Sequence, residues 1–265
     1  MRDAQPGELA AAFDVALERM RDAHKAQDLL EVVDVSTLQR AMSGARAAVV
    51  LAAEGADFLE SDLKRLESAR TRGLTHVQLV HYRLSEVGDI STERPRHNGL
   101  SAFGKEVVAQ CNRLGILVDV AHATSDGIAQ ALEISVKPII YSHGHVTSSA
   151  PYWTYGLVRA RAIHAPLARR IAEKGGVVGI WPLSTQYGSL DAYAQALYAT
   201  AQALGPEHVG IGSDMFGLGG LSVLPGYESF PLLAELLTKR GLSADAVRGI
   251  LGGNYLRVLG QVLAV

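Results

Sequence analysis

The sequence predicts an α/β fold, a (β/α)8 TIM-like barrel lacking its first strands. Six short apolar runs each end on a residue able to do chemistry: residues 47–54 (AAVVLAAE), 76–81 (HVQLVH), 116–122 (ILVDVAH), 138–143 (PIIYSH), 177–181 (VVGIW) and 209–214 (VGIGSD). Amphipathic stretches of helical period separate most of them, and strand–helix–strand repetition implies parallel strands with crossover helices. VVLAA, ILVDV and VVGIW are continuously apolar, as strands buried on both faces must be. A closed barrel needs eight strands, and six are found. Its reactive residues would gather at the C-terminal strand ends, here a Glu, three His and an Asp.

The elements follow in order. Residues 8–30 read as an amphipathic helix, and residues 36–46 as a short one capped by Ser36 and stopped at Gly44. After the first strand, residues 57–71 carry Leu59, Leu63 and Leu66 at helical spacing, closed by Gly73. Residues 82–99 are polar, without periodicity, and rich in Pro, Gly, Asp and Arg; loops this long usually serve a site. Ser101 caps a helix running through Arg113, with Gly115 as its stop, and Ser125 caps another through Glu133. A second long loop, residues 143–161, carries Tyr152, Trp153 and Tyr155. Residues 166–174 form a helix with Pro166 in its first turn. The remaining helices lie near residues 190–204, 228–240, 244–251 and 254–263. With no repeat, low-complexity tract or linker, a single domain over residues 1–265 is the simpler reading.

Composition narrows the function classes. An apolar fraction of 48% and a charge of −2 fit a soluble enzyme and give no electrostatic reason for a nucleic-acid partner. Cys111, the one cysteine, excludes an internal disulfide and a thiolate cluster, and reads as a packing residue. No run reaches the ~18 apolar residues of a membrane span, and the amino terminus lacks a signal-peptide core. A reducing, cytoplasmic setting is the expectation.

Glu54 closes a buried run, where a carboxylate is costly unless paired or bound to metal; a salt-bridged or capping Glu is the competing reading. His122 and His143 end consecutive runs twenty-one residues apart, one strand–helix–strand unit. Each alone reads as readily as a structural histidine; together with Glu54 they form a zinc ligand set with a position open for water. Asp214 at its strand tip is a proton shuttle or an N-cap. His81 is placed to polarise a carbonyl. Arg161 is either a clamp for a substrate carboxylate or a surface arginine. His145 is a rival ligand. His76 reads as structural at the far end of its strand, His24 as part of the first helix, and His97, His164 and His208 as surface loop residues. GxSxG, HExxH, GxxxxGK[ST] and CxxC patterns are all absent.

The stretches LAAEGADFL, LVHYRLSEVGD, NGLSAFGKEVVAQCNRLGILVDVAHAT, KPIIYSHGHV, GGVVGIWP, HVGIGSDMFGL and LGGNYLRVL resemble, in order, the membrane (renal) dipeptidase family of zinc peptidases in the amidohydrolase superfamily. The resemblance runs from about residue 36 to the C-terminus. It implies two zinc ions bridged by a carboxylate on Glu54, one completed by His122 and His143. It puts His81 on the substrate carbonyl, Asp214 on the proton and the substrate amine, and Arg161, with Arg159 as a rival, on the substrate carboxylate. Family members are often dimers, so a homodimer is implied.

One departure stands out: the family holds its other zinc with a His-x-Asp pair on the first strand, and this sequence has no such pair. The chain thus reads as N-terminally incomplete relative to the family, retaining one zinc or none. The expected activity is dipeptide hydrolysis by metal-activated water, weaker than the two-metal reaction. The rivals are another amidohydrolase acting on lactones or other amides, and a catalytically impaired remnant that binds peptides or a partner.

Overall fold

The structure is a computed structural model that describes residues 4–44, 46–148 and 160–264. Tyr152, Trp153, Tyr155 and Arg159 lie outside the described residues. The chain divides into two compact units, residues 1–137 with 259–265, and residues 138–258.

The first unit opens with α1 (Glu8–Ala26), shorter than the 8–30 expected from amphipathicity. Asp28 turns left-handed (φ 54°) and leads into β1 (Leu30–Glu31), a two-residue strand that the apolar pattern was too short to reveal. Next comes α2 (Val35–Met42), capped by Asp34 rather than Ser36. Thr37 N–H donates to Asp34 Oδ1 (2.7 Å) while Asp34 N–H donates to Thr37 Oγ1 (3.0 Å), a reciprocal capping box. The Thr37 N–H and hydroxyl, both donating to Asp34 Oδ1, hold that carboxyl below its usual range.

The run at 47–54 forms β2 (Ala48–Val49), parallel to β1, and then β3 (Leu51–Glu54). The helix expected over residues 57–71 is broken. A 3-10 turn at Asp57–Leu59 is followed by Glu60 and Ser61, both left-handed (φ 45° and 63°), before α3 (Leu63–Thr71) starts from an Asp62 cap. β4 (Leu74–Gln78), α4 (Ala102–Leu114), β5 (Leu117–Asp119) and α5 (Ser125–Ile134) complete the unit. Ser101 caps α4 and Gly115 ends it, as the sequence suggested. Thr124, one residue earlier than expected, caps α5.

Within this unit β3, β4 and β5 pair in parallel in that order. Residues 116–120 are buried throughout, the pattern of a strand covered on both faces. β3 departs from that pattern: Leu51 and Ala53 are buried but Ala52 and Glu54 are exposed. Ala52 and Glu54 share one face of the strand, so that face is the open one. β3 is also an edge strand, pairing with β4 on one side with no other strand of the described residues along the other. The core is apolar and dense around Leu59, Leu66, Leu74, Val77, Val107 and Val118. Cys111 is part of it, fully buried, with its thiol pushed up to about 12 by burial. It should resist alkylation by iodoacetamide in the native protein and react only once denaturant is added, a difference that mass spectrometry reads directly.

In the second unit β6 (Ile140–Tyr141), β9 (Val177–Ile180) and β10 (Val209–Ile211) pair in parallel, with β9 between the other two. A short parallel pair, β7 (His145–Thr147) with β8 (Ala162–His164), was not expected from the sequence. Ahead of β9 lies α6 (Ala165–Glu173), and after it come α7 (Ser184–Tyr187) and α8 (Leu190–Leu204). Beyond β10 the chain continues through α9 (Phe230–Lys239) and α10 (Ala244–Arg248), a π-helical turn at Gly249–Gly253, and α11 (Asn254–Leu263). β9 is buried at every position, as VVGIW implied. All six apolar runs therefore form strands, and the strand–helix alternation is that of a (β/α)8 barrel.

Candidate active site

Each candidate side chain of the first unit sits at or just past a strand's C-terminal end. Glu54 is the last residue of β3, while His81 and His122 lie three residues beyond β4 and β5. The three converge. Glu54 Oε1 is 3.3 Å from His81 Nε2 and 3.6 Å from His122 Nε2, and the two imidazole rings stand 4.5 Å apart. His122 is buried, whereas Glu54 keeps 48% of its side chain accessible, so the carboxylate faces a space that ligands can reach.

The local backbone is built for this convergence. Gly55 adopts φ 107°, a conformation disfavoured for side chains, and a Cβ there would lie 3.2 Å from His81 Cβ. His122 itself is left-handed (φ 69°), a strain of order 1 kcal/mol that persists only when its surroundings fix it. Two contacts do so: Ser91 N–H donates to His122 O (2.8 Å), and Ala121 N–H donates to the buried Asp119 Oδ1 (2.9 Å). Asp119 also faces His76 (3.5 Å). His76 was expected at the far end of its strand but occupies the middle of β4.

The residue 82–99 loop is ordered by one carboxylate. Asp89, 1% exposed, accepts backbone N–H bonds from Arg96 (2.6 Å), His97 (3.0 Å) and Gly99 (2.9 Å). Neighbouring Ile90 bridges to Ala123, next to His122. Sequence reasoning took this segment as structureless and missed Asp89; the signal was a lone Asp among turn residues. It also missed Tyr82, whose ring meets His122 edge-on (5.1 Å) and His81 at a tilt (4.3 Å).

In the second unit His143 lies two residues past β6 and Asp214 three past β10. Gly212 lets them approach, since a Cβ there would overlap the Ser142 carbonyl and reach within 2.7 Å of His143 Cα. Burial raises the Asp214 carboxyl above its usual range, against the opposing pull of His143 and Arg161. Asp214 is left-handed as well (φ 41°). Arg161 is 2% exposed, which removes the surface-arginine reading. His145 stacks at 6.1 Å on the Trp181 ring, and burial lowers its pKa. His164 and His208 are half-buried rather than surface residues, donating to the carbonyls of Ser148 and Gly176, whereas His97 is exposed as expected.

Comparison with known proteins finds relatives in both sequence and fold. The family model for membrane dipeptidases (Peptidase family M19) matches residues 5–265. Dipeptidase aclJ of Aspergillus oryzae is 31% identical over 229 residues, which are 83% of this chain and 53% of that protein. The chain spans about half the length of the curated relatives it matches. An amidohydrolase structure from Pseudomonas aeruginosa superposes with a TM-score of 0.82 at 24% identity, covering 96% of this chain and 86% of its own. A metallo peptidase from Rhodobacter sphaeroides, liganded with a phosphinate mimic of the dipeptide L-Ala-D-Ala, gives 0.73 at 21% identity, covering 87% and 68%. The fold is shared with these proteins.

Proposed function

The chain belongs to the membrane dipeptidase family, and from that premise we propose that it is a metal-dependent hydrolase of dipeptides or related small amides. One observation carries the reading: Glu54 Oε1 faces the Nε2 atoms of both His81 and His122 at the ends of adjacent parallel strands. We assign Glu54, His122 and His143 as the metal ligands. Two imidazoles and a carboxylate are a donor set suited to Zn²⁺, and three protein ligands leave a position open for water. A dipeptide substrate is supported by the names of the relatives and by the dipeptide mimic in the Rhodobacter structure.

When bound, the metal supplies charge that polarises the scissile carbonyl and acidifies water. The chain's own groups do the rest. His81 donates a hydrogen bond to the carbonyl oxygen as negative charge develops there. Asp214 accepts the proton of the attacking water and returns it to the leaving amine. Arg161 pairs with the substrate's terminal carboxylate through its planar fork.

The test is elemental analysis of chain purified without chelator, joined to a dipeptide hydrolysis assay with added Zn²⁺. The proposal expects about one zinc per chain and measurable release of amino acids. A chain that takes up no metal even when zinc is supplied, or that holds zinc and cleaves no dipeptide, refutes it.

A further inference from the structure

Two cavities of the first unit share Glu54 and Asp57 in their linings. The smaller, about 230 Å³, is lined by polar groups that include His81, Tyr82 and Arg83. The larger, about 650 Å³, lies between α1 and β3 and is walled by Phe13, Leu17, Met20, Leu51, Phe58 and Leu74. Its volume is within the range of about 300–1,000 Å³ typical of small-molecule sites. The space opens to solvent rather than being sealed inside the core, so a ligand can enter it. Met20, at 52% exposure, leaves an apolar side chain at the mouth with water as its neighbour.

We propose that this larger cavity is the subsite for a large apolar side chain of the substrate. The inference rests on the dipeptidase reading above. Glu54 and Asp57 line both spaces, so a substrate whose amide lies against Glu54 and His81 has its side chain within reach of the apolar walls. Phe13, Leu17 and Met20 follow one another at spacings of four and three, and so line a single face of α1. Dipeptides with one aromatic residue are therefore the preferred class, ahead of dipeptides of glycine.

The experiment compares Phe-Gly, Gly-Phe and Gly-Gly on the zinc-supplemented full chain. At least one aromatic dipeptide should exceed Gly-Gly in kcat/KM by about tenfold or more, the value of burying a phenyl group. Ala16 lines the cavity from an exposed position on α1, so Ala16→Trp fills the space without disturbing the core. It should bring the aromatic dipeptide down to the Gly-Gly level and leave Gly-Gly itself unchanged. Ala12→Trp, exposed on the same helix but outside the cavity lining, should change neither. No aromatic preference, or an Ala16→Trp loss shared equally by Gly-Gly, overturns the subsite.

If no dipeptide is cleaved at all, the hydrolase reading fails separately, and the subsite is decided by calorimetric binding of the same three dipeptides. An aromatic preference abolished by Ala16→Trp supports it. Equal affinities, a preference that survives the substitution, or no binding overturn it.

Discussion

Glu54→Gln is expected to lower dipeptide hydrolysis by roughly a thousandfold and to release the metal, while the fold stays intact. The first half follows from charge. Glutamine keeps the length and shape of the side chain but replaces an anionic oxygen by an N–H₂ donor, which cannot ligate a cation. Losing several kcal/mol of metal-derived transition-state stabilisation corresponds to roughly three powers of ten in rate. The second half follows from exposure. With 48% of its side chain accessible, Glu54 makes solvent-screened contacts with His81 and His122 that contribute at most about 1 kcal/mol to folding. His81→Gln should behave differently, retaining zinc and losing only about a hundredfold in kcat, because on this reading His81 acts on the substrate rather than the metal. Zinc per chain after dialysis, thermal melting and kcat/KM together separate the two variants. A Glu54→Gln protein that keeps its zinc and turns over dipeptides within threefold of the parent would remove Glu54 from the metal site.

The strands, and the candidate residues at their tips, were legible because they rest on strong local signals. An apolar run of four or more residues with a titratable group at its end marks a parallel strand and its C-terminal tip, and Glu54, His122 and Asp214 follow that rule. What was illegible rests on pairings distant in sequence or on single-residue backbone choices. β1 and β8 span two and three residues, too few for any period to register. The break between the 3-10 turn and α3 depends on Glu60 and Ser61 turning left-handed, which neither residue type advertises. The Glu60 carboxylate accepts the Gly7 N–H (2.9 Å) from the chain entering α1, a contact fifty-three residues away in sequence. The exposure of Ala52 likewise depends on what packs over that face of β3, not on β3 itself. The displaced caps are a milder case. Asp34 and Thr124 each stand within two residues of the serine chosen from sequence, and Asp, Thr and Ser all cap well, so only geometry decides.

Asp89→Ala tests whether the long loop is a structural part of the site. Removing its carboxylate strips the acceptor from the backbone N–H groups of Arg96, His97 and Gly99. A buried donor left unpaired costs about 1–3 kcal/mol; Gly99 N–H is buried, whereas water can reach the exposed Arg96 and His97. The sum comes to about 3 kcal/mol, which in a chain of this size lowers the melting temperature by about 6–12 °C. Asp89→Asn should recover part of this, since one oxygen still accepts while the new N–H₂ faces a donor. The catalytic consequence runs through the backbone. The same segment supplies the Ser91 N–H that holds His122 O and the Ile90 bridge to Ala123, and these contacts hold His122 in its left-handed conformation. With the loop released, His122 relaxes toward ordinary backbone angles and its ring leaves Glu54 Oε1, so zinc affinity should fall by about 10–100-fold, as it does when groups orienting a ligand are lost. Zinc titration of Asp89→Ala at a temperature where it remains folded isolates this effect from stability. An Asp89→Ala protein that melts within 2 °C of the parent and binds zinc as tightly would show that the loop neither anchors the fold nor positions His122.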